Sequence, residues 1–216
     1  MRKKVIVGAS NKKSEKLPFP QFDIEMVNQL IRQRRSIFPK DYSDEPVTRE
    51  EIEMILENAH WAPNHGKTEP WFFKVYSGEA RAPLGEARAA LYKKLTPADK
   101  YDEKKYEKIK KRPTEAQYYI AICLKAGTNP KIPLLEEQAA LAAAVQNMHL
   151  TATALGLAAY WSSGGYALRP ETAELLGLGE NESCMGFFMV ARPKVKDSWP
   201  KGYRKADWEE KVEWVE

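Results

Sequence analysis

Signatures for metal and nucleophile chemistry are missing from this 216-residue chain. His60, His65 and His149 are its only histidines, and their spacing matches no HExxH or similar zinc pattern. There is no GxSxG elbow and no Walker loop, so serine hydrolysis and P-loop phosphoryl transfer have no footing. Gly177-Leu178-Gly179 starts like a dinucleotide fingerprint, but Glu182 stands where the third glycine belongs, and the stretch follows a helical pattern, not a strand. Cysteine is scarce. Cys123 and Cys184 sit in apolar, strand-like surroundings without metal or redox spacing, and both read as small core hydrophobes. No apolar run reaches the ~18 residues that span a bilayer. The basic start Met1–Ser10 has too short an apolar part, and no cleavage site, to be a signal peptide. No membrane association and a cytoplasmic location are expected. Repeats and low-complexity tracts are also absent. An enzyme built this way must borrow its reactivity from a bound cofactor.

What is present reads as one globular domain. Hydrophobic residues make up 43% and charged residues 30%, outside the disordered range. The net charge of +4 is a mild excess, concentrated in residues 1–16 and 104–112, and it suits a small anionic ligand. In 104–112, Tyr106 and Ile109 recur at helical spacing, so the lysines there read as the solvated face of a helix. A nucleic-acid partner is not expected. Residues 1–22, with Pro18 and Pro20, are taken as a basic extension, and residues 23–216 as the domain.

The pattern predicts a helix over 23–34 with a stripe of Ile24, Met26, Val27, Leu30 and Ile31. Thr48 and Glu51 form a capping box that opens a second helix, which Pro63 ends. Strands are expected at 71–77, 117–125, 157–161 and 184–191. Helices are expected at 80–94, 97–112, 134–155 and 170–177. The 134–155 helix is apolar nearly all round from Ala139 to Val145, which predicts burial in a core or subunit interface. The order is α+β, with a sheet around a central helix. Trp199, Trp208 and Trp214 suggest that the tail packs on something, a partner chain included.

Three segments carry functional signal. Arg34-Arg35-Ser36 offers two guanidinium forks and a hydroxyl, which suit a phosphate ester. Ala62–Trp71 packs polar groups and two prolines into a loop that runs straight into a strand. Trp161-Ser162-Ser163-Gly164 follows a helix stopped by Gly156 and a short strand; a Ser/Gly loop lets backbone amides approach a flat ring.

In this order and spacing, the segments resemble the nitroreductase family of FMN-dependent oxidoreductases, in its small single-domain form. The Gln146-Asn147 pair on the long helix and the basic Arg204-Lys205 near the C-terminus add to the likeness, which covers residues 23–216. The resemblance implies an α+β fold with a central mixed sheet surrounded by helices, a long buried helix, and a homodimer with FMN at the interface. It implies that Arg34, Arg35 and Ser36 hold the FMN phosphate and ribityl chain, with help from Arg204 or Lys205. His65, Lys67 and Glu69 would sit at the flavin, with Lys67 or a partner-chain cation offsetting the charge of the reduced ring. Trp161, Ser162, Ser163 and Gly164 would form the loop beside the isoalloxazine. No side chain is assigned a catalytic role, because the chemistry would lie on flavin N5: ping-pong hydride transfer from NAD(P)H to a nitroaromatic, quinone or enone. Glu69 departs from the glutamine of many relatives; a carboxylate only accepts hydrogen bonds, whereas an amide also donates. Reductive dehalogenation, flavin fragmentation and a non-catalytic basic binding module stay open as alternatives.

Overall fold

The computed structural model describes residues 22–164, 166–194 and 199–216. The extension expected at 1–22 therefore lies outside the described residues except for Phe22. Six α-helices and four strands are described: α1 (Ile24–Gln33), α2 (Arg49–His60), β1 (Trp71–Ser77), α3 (Arg81–Leu95), α4 (Glu103–Lys111), β2 (Tyr118–Lys125), α5 (Leu134–Ala154), β3 (Ala158–Ser162), α6 (Pro170–Leu175) and β4 (Glu182–Ala191). The sheet runs β1-β2-β4-β3. Every pairing is antiparallel, which corrects the expected mixed sheet. The apolar run in β2 suggested a strand buried on both faces, and it is; helices cover both faces of an antiparallel sheet, so burial alone does not set strand direction.

Alternation along the strands splits the core in two. Ile120, Ile122, Leu124, Phe188 and Val190 face α2 and α5, whereas Tyr119, Ala121, Cys123, Phe187 and Met189 face the layer of Leu84 and Leu176. Cys123 and Cys184 are register partners on β2 and β4, both buried and both free thiols. Burial pushes the Cys123 thiol up to about 12, so it stays inert at neutral pH.

The capping box of α2 is formed as expected, with Thr48 Oγ1 accepting from the Glu51 N–H at 3.3 Å and Glu51 Oε2 accepting from the Thr48 N–H at 2.9 Å. Pro133 gives α5 no side-chain cap. A cap is worth about 1 kcal/mol, while buried Leu141, Val145 and Met148 contribute about 1.5–3 kcal/mol each. Packing, not capping, holds this helix. The single helix expected over 97–112 is split, because Asp102 N-caps α4 and donates its own backbone N–H to the Tyr92 hydroxyl. α1 keeps its apolar stripe but buries none of it; Ile24, Met26 and Ile31 are exposed.

Candidate active site

Ser36 leads into Ile37, whose N–H donates to the Ala159 carbonyl on edge strand β3 at 2.9 Å. That bond pins the end of α1 to the strand that carries Trp161 and Ser162. At ~3.3 Å per residue, Ser162 lies about 10 Å along β3 from this anchor. Phe38 continues the contact, with its ring centroid 4.7 Å from that of Tyr160.

The two arginines of the pair differ. Arg35 is spent on structure: Nε donates to the Pro200 carbonyl at 2.9 Å, and Nη1 donates to the Arg32 and Arg34 carbonyls at 2.7 Å each. It thereby ties the C-terminal tail to the end of α1, while the Trp199 indole N–H donates to the Gln33 carbonyl at 2.7 Å. Arg204 follows two residues after Gly202, which packs on the Arg35 guanidinium. Arg34 has no carboxylate partner among the described residues. Burial lowers its basicity, and the charges of Arg204 and then Arg35 lower it further. His149, in the later turns of α5, is buried, and its Nδ1 has no hydrogen-bond partner. Mutually repelling cations beside an orphaned imidazole nitrogen fit a dianionic phosphate. Ser36 and Lys205 are exposed beside this cluster in sequence.

The 62–71 loop sits elsewhere. Gly66, Lys67 and Glu69 all take positive φ (63°, 55° and 45°), and the Asn64 side chain accepts from the Glu69 N–H at 3.2 Å. Two non-glycine residues in this region mark stored backbone strain. The side chains of His65, Lys67 and Glu69 are exposed. His65 Nδ1 meets Glu136 Oε2 at 2.5 Å in the first turn of α5. The Arg34 neighbour His149 lies 13 residues farther along α5. At 1.5 Å per residue, roughly 20 Å separate the two groups within one chain.

The Ser/Gly loop lies beside a cavity of about 340 Å³. Tyr160, Ser162 and Gly164 line it from β3 and the loop, Arg88 from α3, and Lys105, Lys108 and Arg112 from α4 and its end. No carboxylate among the described residues lines it. Arg88 is 6% exposed. Its Nη1 donates to the Tyr119 hydroxyl, and its guanidinium carbon lies 4.1 Å from the Phe187 ring centroid. A buried guanidinium without a carboxylate costs several kcal/mol unless a ligand compensates it. Trp161 turns the other way, its indole N–H donating to the Met185 carbonyl at 3.0 Å. Ser163 is exposed.

The profile of the "Nitroreductase family" matches residues 31–192. The chain belongs to the nitroreductase family. Among relatives of this nitroreductase, the Escherichia coli K12 protein named "Putative NAD(P)H nitroreductase YdjA" is 30% identical over 70% of this chain and 80% of its own. A nitroreductase-like protein from Bacillus cereus superposes with TM-score 0.73 at 27% identity, over 93% of this chain and 100% of that one. A Desulfovibrio desulfuricans protein, described as "a putative nitroreductase in complex with fmn", superposes with TM-score 0.66 at 27% identity, over 88% and 96%. The motifs that carry the family likeness fall in this nitroreductase at three places: the Arg34 cluster, the Ser/Gly cavity and the separate 65–69 loop.

Residues 104–112 form the solvated helix face expected of them, with Lys104, Lys105, Lys108 and Lys111 exposed and Ile109 buried, but helical spacing does not show that Lys105 and Lys108 also border the Ser/Gly cavity or that Arg88 is buried beside it. The signal was in α3. Leu84, Arg88 and Tyr92 recur at i, i+4 and i+8, and all three are buried. One charge on an otherwise apolar helical stripe marks a group that needs a partner.

Proposed function

We propose that this nitroreductase is an FMN-dependent oxidoreductase that moves two electrons from reduced nicotinamide dinucleotide to a nitroaromatic, quinone or enone. The observation that carries this reading is the shared edge strand: the Ile37–Ala159 bond anchors the cationic cluster of Arg34 and Arg204 to β3, and about 10 Å along β3 from that bond Ser162 lines a cavity with no described carboxylate. When bound, FMN supplies the hydride chemistry that no side chain here offers. Arg34 and Arg204 hold its phosphate, and Ser36 and Lys205 stand at the ribityl side. Trp161 braces the loop of Ser162, Ser163 and Gly164 against the ring. Arg88, Lys108 and Arg112 line the cavity and would offset the negative charge of a reduced flavin held there.

The reading includes a homodimer. Its support is the roughly 20 Å between Arg34 and the 65–69 loop along one chain, together with the exposed apolar side chains of α1, Trp208 and Trp214. In this arrangement His65, Lys67 and Glu69 serve the partner's flavin.

The decisive experiment is purification followed by flavin absorbance, bleaching with NADPH or NADH, and turnover on a nitroarene, a quinone and a halogenated phenol. A folded, colourless protein that takes up no added FMN refutes the proposal. Turnover of the halogenated phenol alone moves it to dehalogenation. Arg34→Gln is expected to weaken FMN binding about 10–100-fold, the worth of one hydrogen bond to a charged group, as read by fluorescence titration of the apoprotein. Glu69→Gln is expected to raise the midpoint potential of the bound flavin, because it removes a negative charge near the reduced ring; an unchanged potential removes Glu69 from the site.

A further inference from the structure

We propose that a second basin, adjoining the ring cavity, binds the phosphates of the nicotinamide donor and makes this enzyme prefer NADPH to NADH. The proposal rests on the flavin reading above. The basin encloses about 690 Å³, and Lys108 and Arg112 line both it and the ring cavity. Beyond these two, it gains Lys40, Lys111 and Lys194. Its acids among the described residues are Asp44 and Glu115, and Glu115 is already engaged by Arg112 at 3.2 Å. Cations therefore outnumber free carboxylates along its length.

Geometry fixes two parts of this surface. Lys194 donates to the Lys40 carbonyl at 2.8 Å, which holds the chain after β4 against the turn that follows the arginine motif. Tyr42, 6% exposed, lines the basin, and its hydroxyl has no hydrogen-bond partner among the described residues. The charged groups acting on that hydroxyl are Arg112 and Glu115. Phe38 of the basin packs against Tyr160 of the ring cavity with centroids 4.7 Å apart, so the two spaces adjoin at the end where Tyr42 and Arg112 lie. Burial holds the phenol protonated, so it is a hydrogen-bond donor in want of an acceptor.

A donor whose ring stacks on the flavin in the ring cavity has several negative charges trailing from it, and the basin is the cationic surface beside them. Reduced nicotinamide dinucleotide has that form. Its ring stacks on the flavin at the mouth of the Ser/Gly cavity, its diphosphate passes Tyr42 and Arg112, and the 2′-phosphate of NADPH reaches Lys40, Lys111 and Lys194. NADH lacks that last dianion and leaves these lysines unused.

The test uses flavin-loaded enzyme and three donors: NADPH, NADH and 1-benzyl-1,4-dihydronicotinamide, which carries no phosphate. The double variant Lys40→Gln/Lys194→Gln and the single variant Lys111→Gln are compared with the parent. For the parent, kcat/KM for NADPH should exceed that for NADH by about tenfold or more, the worth of a charge-assisted phosphate contact. The double variant should lose most of that advantage through KM, keep its rate with the benzyl donor and keep its flavin. Equal kcat/KM for NADPH and NADH in the parent overturns the proposal. So does a fall with all three donors, or loss of flavin, since either places the lysines in FMN binding or in folding. If the benzyl donor is oxidised while the NADPH advantage survives neutralisation, the oxidoreductase reading stands and the phosphate basin falls. If no donor is oxidised, both fall.

Discussion

Gly186→Ala is expected to lower the unfolding free energy by about 4 kcal/mol, combining a forbidden backbone conformation with a packing overlap of similar size. For a chain of this length, that is a fall of roughly 10 °C in melting temperature. Gly186 has φ 118°. It sits at a bulge in β4, where Met185 and Gly186 together oppose Ile122, between the pairs Ala121–Phe187 and Cys123–Cys184. A methyl group there would stand 2.6 Å from the Ser162 carbonyl oxygen and 2.8 Å from the Trp161 indole nitrogen. Neither neighbour is a flexible tip: one is backbone, and the other is fixed by its bond to the Met185 carbonyl. The bulge thus lets the end of β3 close over β4 and aims the Ser162–Gly164 loop at its cavity. Flavin retention should fall along with stability. Gly156→Ala is the control. Gly156 also has positive φ, 69°, but a methyl group there meets nothing within 4 Å, so only the left-handed conformation is charged, about 1–2 kcal/mol. Equal melting temperatures for the two variants, measured by calorimetry, would show that the close approach at Gly186 costs nothing.

Such couplings explain what the sequence made legible and what it hid. Local chemistry was readable. Thr48 and Glu51 announce the start of α2, and the alanine-rich run from Ala139 to Val145 announces α5, which ends at Ala154 against an expected 155. Strand edges fall within one or two residues of expectation, because turn residues and apolar alternation are properties of short windows. Strand direction was not readable. The double burial of β2 arises from what lies above and below it, and an antiparallel strand sandwiched between helices carries the same apolar run as a parallel one.

The site divides along the same line. Arg34, Glu69 and Ser162 stood out because each lies in a local motif. The difference between Arg34 and Arg35 did not, because it depends on where Pro200 and Gly202 return from the far end of the chain. The cations of α3 and α4 belong to the Ser/Gly loop only through contacts across more than 50 residues. Asp102 hid in the same way. As one acidic residue in a charged stretch it carried no weight, yet it ends the preceding turn and begins α4.

The apoprotein should lose about 2 kcal/mol of stability between pH 8 and pH 5 through His149 alone, and about 3 kcal/mol once the pH has fallen to 4. Burial, and after it the Arg34 charge, push the His149 imidazole down to about 4 from its ordinary 6.5. Its ring stands edge-on to Phe188, with centroids 4.7 Å apart. Above pH 6.5 the imidazole is neutral in both the folded and the unfolded chain and exerts no pH effect. Between 6.5 and 4 the unfolded chain takes up a proton that the folded chain refuses, so acid favours unfolding throughout that window. Below about 4 both forms are protonated and the loss levels off. His149→Gln removes the titration while keeping a polar side chain, so urea midpoints of parent and variant should diverge as the pH falls. Bound FMN should narrow the gap, because its phosphate beside Arg34 offsets the cation that disfavours imidazolium. Parallel stability curves for parent and variant from pH 8 to pH 5 would mean that the imidazole takes its proton in the folded chain as readily as in water, and the buried neutral ring beside the phosphate cluster would have to be abandoned.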